Sequence, residues 1–330
     1  MYVTMTDIAR ELKIAQSTVS RVLNGKDKGR VSPKRAELIR KTARDMGYQI
    51  NLAAVGLRKM KSYTIGILLP SPRDSFVGKL VAELQHKISQ TDYMANFAFW
   101  ETLEGAEDST KSILSRRVDA IVTCEPQFLP ANVGIPVLSY FNYDRRFDFV
   151  GFDREEALCL CIDYLWNLGH RKIGYIGGFK SVQKNGKVAK NLSQKGLAPL
   201  PEWKSVTSNV FEKDWENNLK DEFERQWNCS KRPSAILAQN DATAIVVLRK
   251  AWEMGIKVPQ ELSIIGMNNI PQSSTCTPSL TTVDNFAGVS IAEIILEVIF
   301  KRLENPSLPK QKYIAHSKLL KRESCAGPQN

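Results

Sequence analysis

Histidine is scarce in this chain of 330 residues, and the three present, His86, His170 and His316, stand far apart. None belongs to a H-E-x-x-H or G-x-S-x-G arrangement, so the common signatures of zinc hydrolases and nucleophile-elbow enzymes are missing. The cysteines Cys124, Cys159, Cys161, Cys229, Cys276 and Cys325 are also dispersed. Only Cys159 and Cys161 are close, and on a helix that spacing turns the two thiols apart rather than toward one ion. Free thiols in a reducing cytosol are the simplest expectation. No apolar run reaches the ~20 residues that a membrane span needs. The amino-terminal stretch lacks the apolar core and small-residue cleavage site of a secretory leader. These gaps argue against an enzyme, a membrane protein or an exported protein, and imply neither cofactor nor metal.

Positive charge, in contrast, is abundant and localised. The formal net charge is +11, and between Met1 and Lys61 fourteen Lys and Arg face only five Asp and Glu. The remaining 269 residues carry 32 against 30. A compact basic module on a nearly neutral body suits phosphate binding, because each neutralised phosphate releases condensed counterions. The length exceeds that of one ordinary domain and implies two or three folding units.

The first fifty residues read as three short helices. Thr4, with Asp7 three residues on, forms a capping-box pattern ahead of a helix whose Met5, Ile8, Ala9 and Leu12 share one face. A second helix runs from Gln16 to about Asn24 with Val19, Val22 and Leu23 inward, and Gly25 ends it. Ser32 and Pro33 open a third, with Ala36, Ile39, Ala43 and Met46 inward. Periodicity alone fits a small packing module as well as a DNA reader. The residues themselves say more. Met5-Thr6-Asp7-Ile8-Ala9, Thr18-Val19-Ser20-Arg21-Val22-Leu23-Asn24-Gly25, Val31-Ser32 and Gly47-Tyr48 resemble the headpiece of the lactose-repressor family of bacterial transcription regulators.

That resemblance implies a helix-turn-helix that grips operator DNA. Gln16 and Ser17 occupy the principal base-reading positions, and Arg21 is the candidate for bidentate bonding to a guanine edge. Thr6, Thr18, Ser20 and Asn24 are placed to bond phosphate oxygens. Ala15 departs from the pattern, standing where the family has a helix-capping serine. The loop 26–30 is longer than the shortest family versions and carries Lys26, Lys28 and Arg30. Residues 51–57 resemble the family's hinge helix, too short to be stable alone and expected to fold on DNA. Leu57 matches the apolar wedge inserted from the minor groove. The chain thus divides into a headpiece at 1–49, a hinge and linker at 50–61, and a two-lobed sensor and dimerisation domain at 62–330.

In that third part, short β-branched runs alternate with helical patterns, the signature of parallel α/β units. Strands are expected at 64–69, 94–99, 120–123, 137–139, 172–176, 235–238 and 263–267. Gly169 and Gly255 fit carboxyl-terminal caps after helices at 155–168 and 243–254. His170, following such a cap, would serve as a cation at the negative end of the helix dipole. Leu168-Gly169-His170-Arg171-Lys172-Ile173-Gly174-Tyr175-Ile176, Asn240-Asp241 and Pro278-Ser279-Leu280-Thr281-Thr282-Val283 continue the resemblance, which covers nearly the whole chain. The glycines at 174, 177 and 178 do not spell the G-x-G-x-x-G dinucleotide fingerprint.

The resemblance implies two doubly wound lobes of periplasmic-binding-protein type, with a ligand cleft at the carboxyl ends of the strands. Asp74 and Phe76 follow the first strand, Trp215 stands where an aromatic ring meets the ligand, and Lys184, Asn240, Asn268 and Asn285 complete a polar set. Amides and a cation beside a ring suit a sugar. Lys184 and Asn268 replace the family's usual arginine and aspartate, which bears on which ligand is held. The expected activity is ligand-controlled repression of a carbohydrate-utilisation operon by a homodimer on a palindromic operator, in the nucleoid-associated cytoplasm. A sugar-binding transport protein, and a regulator answering to a nucleobase, sugar phosphate or protein, are the alternatives. The tail after Leu320 lacks apolar heptads, so no coiled-coil tetramer is expected.

Overall fold

The computed structural model describes residues 3–49, 61–177, 186–197, 202–203, 214–228 and 232–329. The chain divides into two compact units, Met1–Lys61 and Ser62–Asn330. In the first, α1 (Met5–Glu11), α2 (Gln16–Leu23) and α3 (Pro33–Asp45) bury Ile8, Val19, Val22, Ala36, Ile39 and Ala43 against one another. Both bonds of the capping box are made: Asp7 N–H donates to Thr4 Oγ1 at 3.3 Å, and Thr4 N–H donates to the Asp7 carboxylate at 2.9 Å. Ala15 gives α2 no side-chain cap, and Gln16 does not replace it.

The second unit holds two six-stranded sheets. The strands are β1 (Thr64–Pro70), β2 (Met94–Trp100), β3 (Ala120–Thr123), β4 (Val137–Tyr140), β5 (Asp148–Phe152), β6 (Ile173–Ile176), β7 (Glu202–Trp203), β8 (Ala235–Ala238), β9 (Ser263–Met267), β10 (Thr281–Asp284), β11 (Lys312–Ala315) and β12 (Lys318–Leu320). One sheet has the order β11-β5-β4-β3-β1-β2 and is parallel throughout. The other has the order β12-β10-β9-β8-β6-β7, with only β12 antiparallel. The helices α4 (Ser75–Ile88), α5 (Leu103–Ser115), α6 (Arg154–Asn167), α7 (Lys187–Gln194), α8 (Trp215–Trp227), α9 (Asp241–Glu253) and α10 (Ile291–Glu304) cover the sheets. Gly169 and Gly255 take positive φ, 102° and 73°, just beyond α6 and α9, as a left-handed cap requires.

The lobes are not consecutive in sequence. α6 buries Ala157, Cys161 and Leu165 against β6 in the second lobe, whereas α10 buries Ile291, Ile295 and Ile299 against the first. The chain therefore passes between lobes three times, after β5, between β10 and α10, and between β11 and β12. In both sheets the strand order reverses beside the first strand of the lobe, at β1/β3 and β6/β8. Such a switch point opens a crevice at the carboxyl ends of the strands.

His170 departs from its expected role. It is 1% exposed, its Nε2 lies 2.8 Å from the Ala326 carbonyl and its Nδ1 lies 2.8 Å from Ser234 Oγ. A carbonyl only accepts, so Nε2 carries the proton, and burial lowers the imidazole pKa. The side chain is a neutral latch for the carboxyl-terminal segment rather than a cation on the helix dipole.

Candidate DNA-reading surface and ligand cleft

On α2 the spacing of Gln16, Ser17, Ser20, Arg21 and Asn24 places them on one side, opposite Val19, Val22 and Leu23. Gln16, Ser17 and Asn24 are exposed, and Thr18, Ser20 and Arg21 are half-buried. Arg21 makes no hydrogen bond or ion pair with another described residue, so its guanidinium is available. Asn24 is turned back on its own helix, its Nδ2 donating to Ser20 O at 2.6 Å and lying 3.2 Å from Ser20 Oγ. Thr6 is exposed in the first turn of α1. In the 26–30 loop, Lys26, Lys28 and Arg30 are exposed, and Asp27 is tied to Arg40 of α3 at 2.7 Å. The Arg40 hydrogen bond holds the Asp27 carboxyl below the usual range. Leu57 and the hinge lie outside the described residues.

In the second unit, Phe76, Asn268 and Asn285 line one cavity of about 140 Å³, together with Lys79, Glu83 and Asp284. The two amides meet directly, Asn285 Nδ2 donating to Asn268 Oδ1 at 2.8 Å. Asn285 is 2% exposed and its Oδ1 has no partner. A buried amide oxygen without a donor is costly, and a ligand hydroxyl would satisfy it. Phe76 belongs to a ring cluster with Phe141 at 5.5 Å, and Phe141 also meets Phe152 at 5.6 Å and Phe286 at 6.4 Å.

The other expected ligand residues are engaged differently. Asp74 is the amino-terminal cap of α4, its Oδ1 accepting from Phe76 N at 2.8 Å and Val77 N at 3.1 Å. Asn240 caps α9 by accepting from Thr243 N at 2.8 Å. Both sit at a switch point, but each has spent an oxygen on a helix start. Trp215 opens α8 and packs half-buried against the second lobe's core, outside the cavity lining. Lys184 lies outside the described residues.

Several polar groups at the same strand ends escaped the sequence reading. Glu125 follows β3 at the first switch point, and burial raises its carboxyl pKa. Asp241 is fully buried, accepting from Thr282 Oγ1 at 2.5 Å and from Ile270 N at 2.9 Å. Burial pushes its pKa up to about 7 against those donors. Gly266 on β9 makes room for it, since a methyl group there would strike Asp241 Oδ1. The adjacent Asn240-Asp241 pair was a visible signal for the latter. For Glu125 the available clue was its place at the end of an apolar run.

Residues 4–51 match the family described as bacterial regulatory proteins, lacI family, and residues 162–325 match the periplasmic binding protein-like domain. The chain belongs to the lacI family of bacterial regulatory proteins. Similar curated proteins of this family include the NTD biosynthesis operon regulator NtdR of Bacillus subtilis, 27% identical over 97% of this chain and 99% of the relative. Another is the ribose operon repressor of Halalkalibacterium halodurans, 25% identical over 99% of this chain and 98% of the relative. Among solved structures, a lac repressor dimer bound to operator and an anti-inducer matches with a TM-score of 0.81 at 20% identity, over 99% of this chain and 100% of that one. This lacI-family member is accordingly a DNA-binding transcription regulator whose second unit has the two-lobed binding-protein fold. None of its described helices is long and apolar enough to cross a membrane.

Proposed function

We propose that the chain is a cytoplasmic, homodimeric repressor of carbohydrate-utilisation genes, without enzymatic activity, released from or locked onto its operator by a sugar. The observation that carries this reading is the convergence of Phe76, Asn268 and Asn285 on one cavity of the second unit, with an unsatisfied amide oxygen waiting for a donor. An amide pair beside aromatic rings matches the directional hydroxyls and C–H faces of a sugar. A relative named for the ribose operon supports the same class. Gln16, Ser17 and Arg21 read bases, Thr6, Thr18, Ser20 and Asn24 hold phosphates, and Leu57 wedges the minor groove. Asp74, Lys184, Trp215 and Asn240 complete the ligand set around the cavity.

The test is a thermal-shift screen of the protein against neutral sugars, sugar phosphates and nucleobases. A ligand bound only by the folded state raises its stability by about 2.7 kcal/mol at a hundredfold excess over Kd. A neutral mono- or disaccharide is the expected hit, and Asn268→Ala and Trp215→Ala should each weaken it by about 1–3 kcal/mol. Unchanged affinity in both variants rejects this cleft. A nucleobase or phosphate hit rejects the neutral-sugar class.

A further inference from the structure

The turn that carries Asn268 is held by contacts that lead away from the cleft. Asn268 and Asn269 follow one another with positive φ, 98° and 48°, a pair of left-handed residues that only surrounding bonds can fix. Asn268 points its Oδ1 at Asn285. Asn269 faces elsewhere: its Oδ1 accepts from Arg322 Nη2 at 2.9 Å, and its Nδ2 donates to Asp284 Oδ2 at 3.3 Å. Arg322 also donates to Leu280 O at 2.7 Å and lies 3.1 Å from Ser273 Oγ. Asp284 in turn accepts from Phe286 N at 3.0 Å and Gly288 N at 3.2 Å.

These partners sit where the chain changes lobes. Asp284 ends β10 and shapes the first residues of the segment that runs to α10, a segment pinned at its far end by Ser290 Oγ donating to Glu83 of α4 at 2.7 Å. Arg322 lies just beyond β12, the strand that immediately follows the passage from β11. One turn therefore bonds two of the three interlobe passages, while its neighbouring residue lines the cavity.

We propose that Asn269 is a coupling residue, through which occupancy of the cavity beside Asn268 is passed to the passages at 284–291 and 315–318. The inference rests on the reading of this cavity as the effector site. A ligand that draws on Asn268 or Asn285 alters the turn. Because Asn269 is the next residue in that turn, its bonds to Asp284 and Arg322 bias how the lobes are joined. Coupling of this kind requires only that the two arrangements of the turn differ in their contacts.

Hydrogen exchange on the full chain tests it without a ligand. In Asn269→Ala and in Arg322→Gln, amides at 268–273 should exchange about three- to tenfold faster, the effect of losing one net hydrogen bond. The passages at 284–290 and 315–318 should speed up with them, while β6 in the same lobe keeps its parent rate. Faster exchange confined to 268–273, or spread equally to β6, overturns the proposal. A second arm adds D-ribose, D-xylose, D-glucose and D-galactose in turn. A sugar that stabilises the parent should slow both passages, and should do so less in Asn269→Ala even though its Kd shifts by less than about threefold. If no sugar stabilises the parent, the sugar reading fails, and the comparison without ligand still decides the coupling.

Discussion

Asp148 and Arg302 form a buried two-pronged ion pair, Nη2 to Oδ1 at 2.8 Å and Nε to Oδ2 at 2.9 Å, across 154 residues of sequence. Arg302 further donates to the carbonyls of Pro306, Leu308 and Pro309, and Asp148 Oδ1 accepts from Gln311 N at 2.8 Å. The pair thereby fixes the loop that feeds β11 onto the edge of β5. Removing one partner leaves a charge unpaired in an apolar setting. Arg302→Met should cost roughly 3–5 kcal/mol in urea unfolding. A double variant with Asp148→Leu should recover part of that loss, and a cost below about 1 kcal/mol for the single variant would contradict the assignment.

Arg21 is the side chain of α2 whose charge is uncommitted. Arg21→Ala should weaken operator binding by about 1–3 kcal/mol and relax base preference at one position of each half-site, as loss of a bidentate guanine contact does. Competition binding on a randomised half-site measures this. A uniform loss over all sequences would mean that Arg21 holds phosphate.

Asp27 gives the first unit an acid-sensitive contact. Its folded pKa lies below that of an unfolded aspartate, so the Arg40 bond contributes fully above about pH 4 and is lost as pH falls through the lower folded value. The stability difference between the parent and Arg40→Gln should be constant from pH 8 to 5 and vanish in stronger acid. Both side chains reach solvent, so salt should shrink it. A difference that persists at pH 2 would show a role in packing instead.

The thiols should be inert while the protein is folded. Burial pushes Cys124 up to about 12 and Cys325 up to about 11, and raises Cys161 further still. At pH 8 almost no thiolate is present at any of the three. Alkylation followed by peptide mapping should leave these positions unmodified until denaturant is added, and rapid labelling of Cys124 would require the first switch point to open.

Much of this arrangement was legible because its signals are local. The Thr4–Asp7 box, the apolar faces of the three short helices and the β-branched runs of β1, β3, β8 and β9 all depend on near neighbours. What escaped depends on distant ones. β11, Lys312–Ala315, has three exposed residues of four and carries no apolar alternation, since as an edge strand it is defined by pairing with β5. His170 looked like a surface cation because nothing nearby in sequence announces Ser234 or Ala326. Asp74 and Asn240 fit a ligand list by residue type, yet each caps the helix that follows, a use that the same residue types also favour.

The three passages between lobes have a consequence for synthesis. When the ribosome has made residues 62–152, five strands of the first lobe exist, but α10 has yet to cover them and β11 has yet to pair the open edge of β5. The second lobe likewise awaits β12 and Ser324, whose hydroxyl bonds Ile264 O at 2.6 Å. Neither lobe can be finished before nearly the last residue leaves the exit tunnel. Nascent chains halted near residue 290 should therefore hold a DNA-reading unit already folded, tethered to two lobes that still expose apolar surface and depend on chaperones.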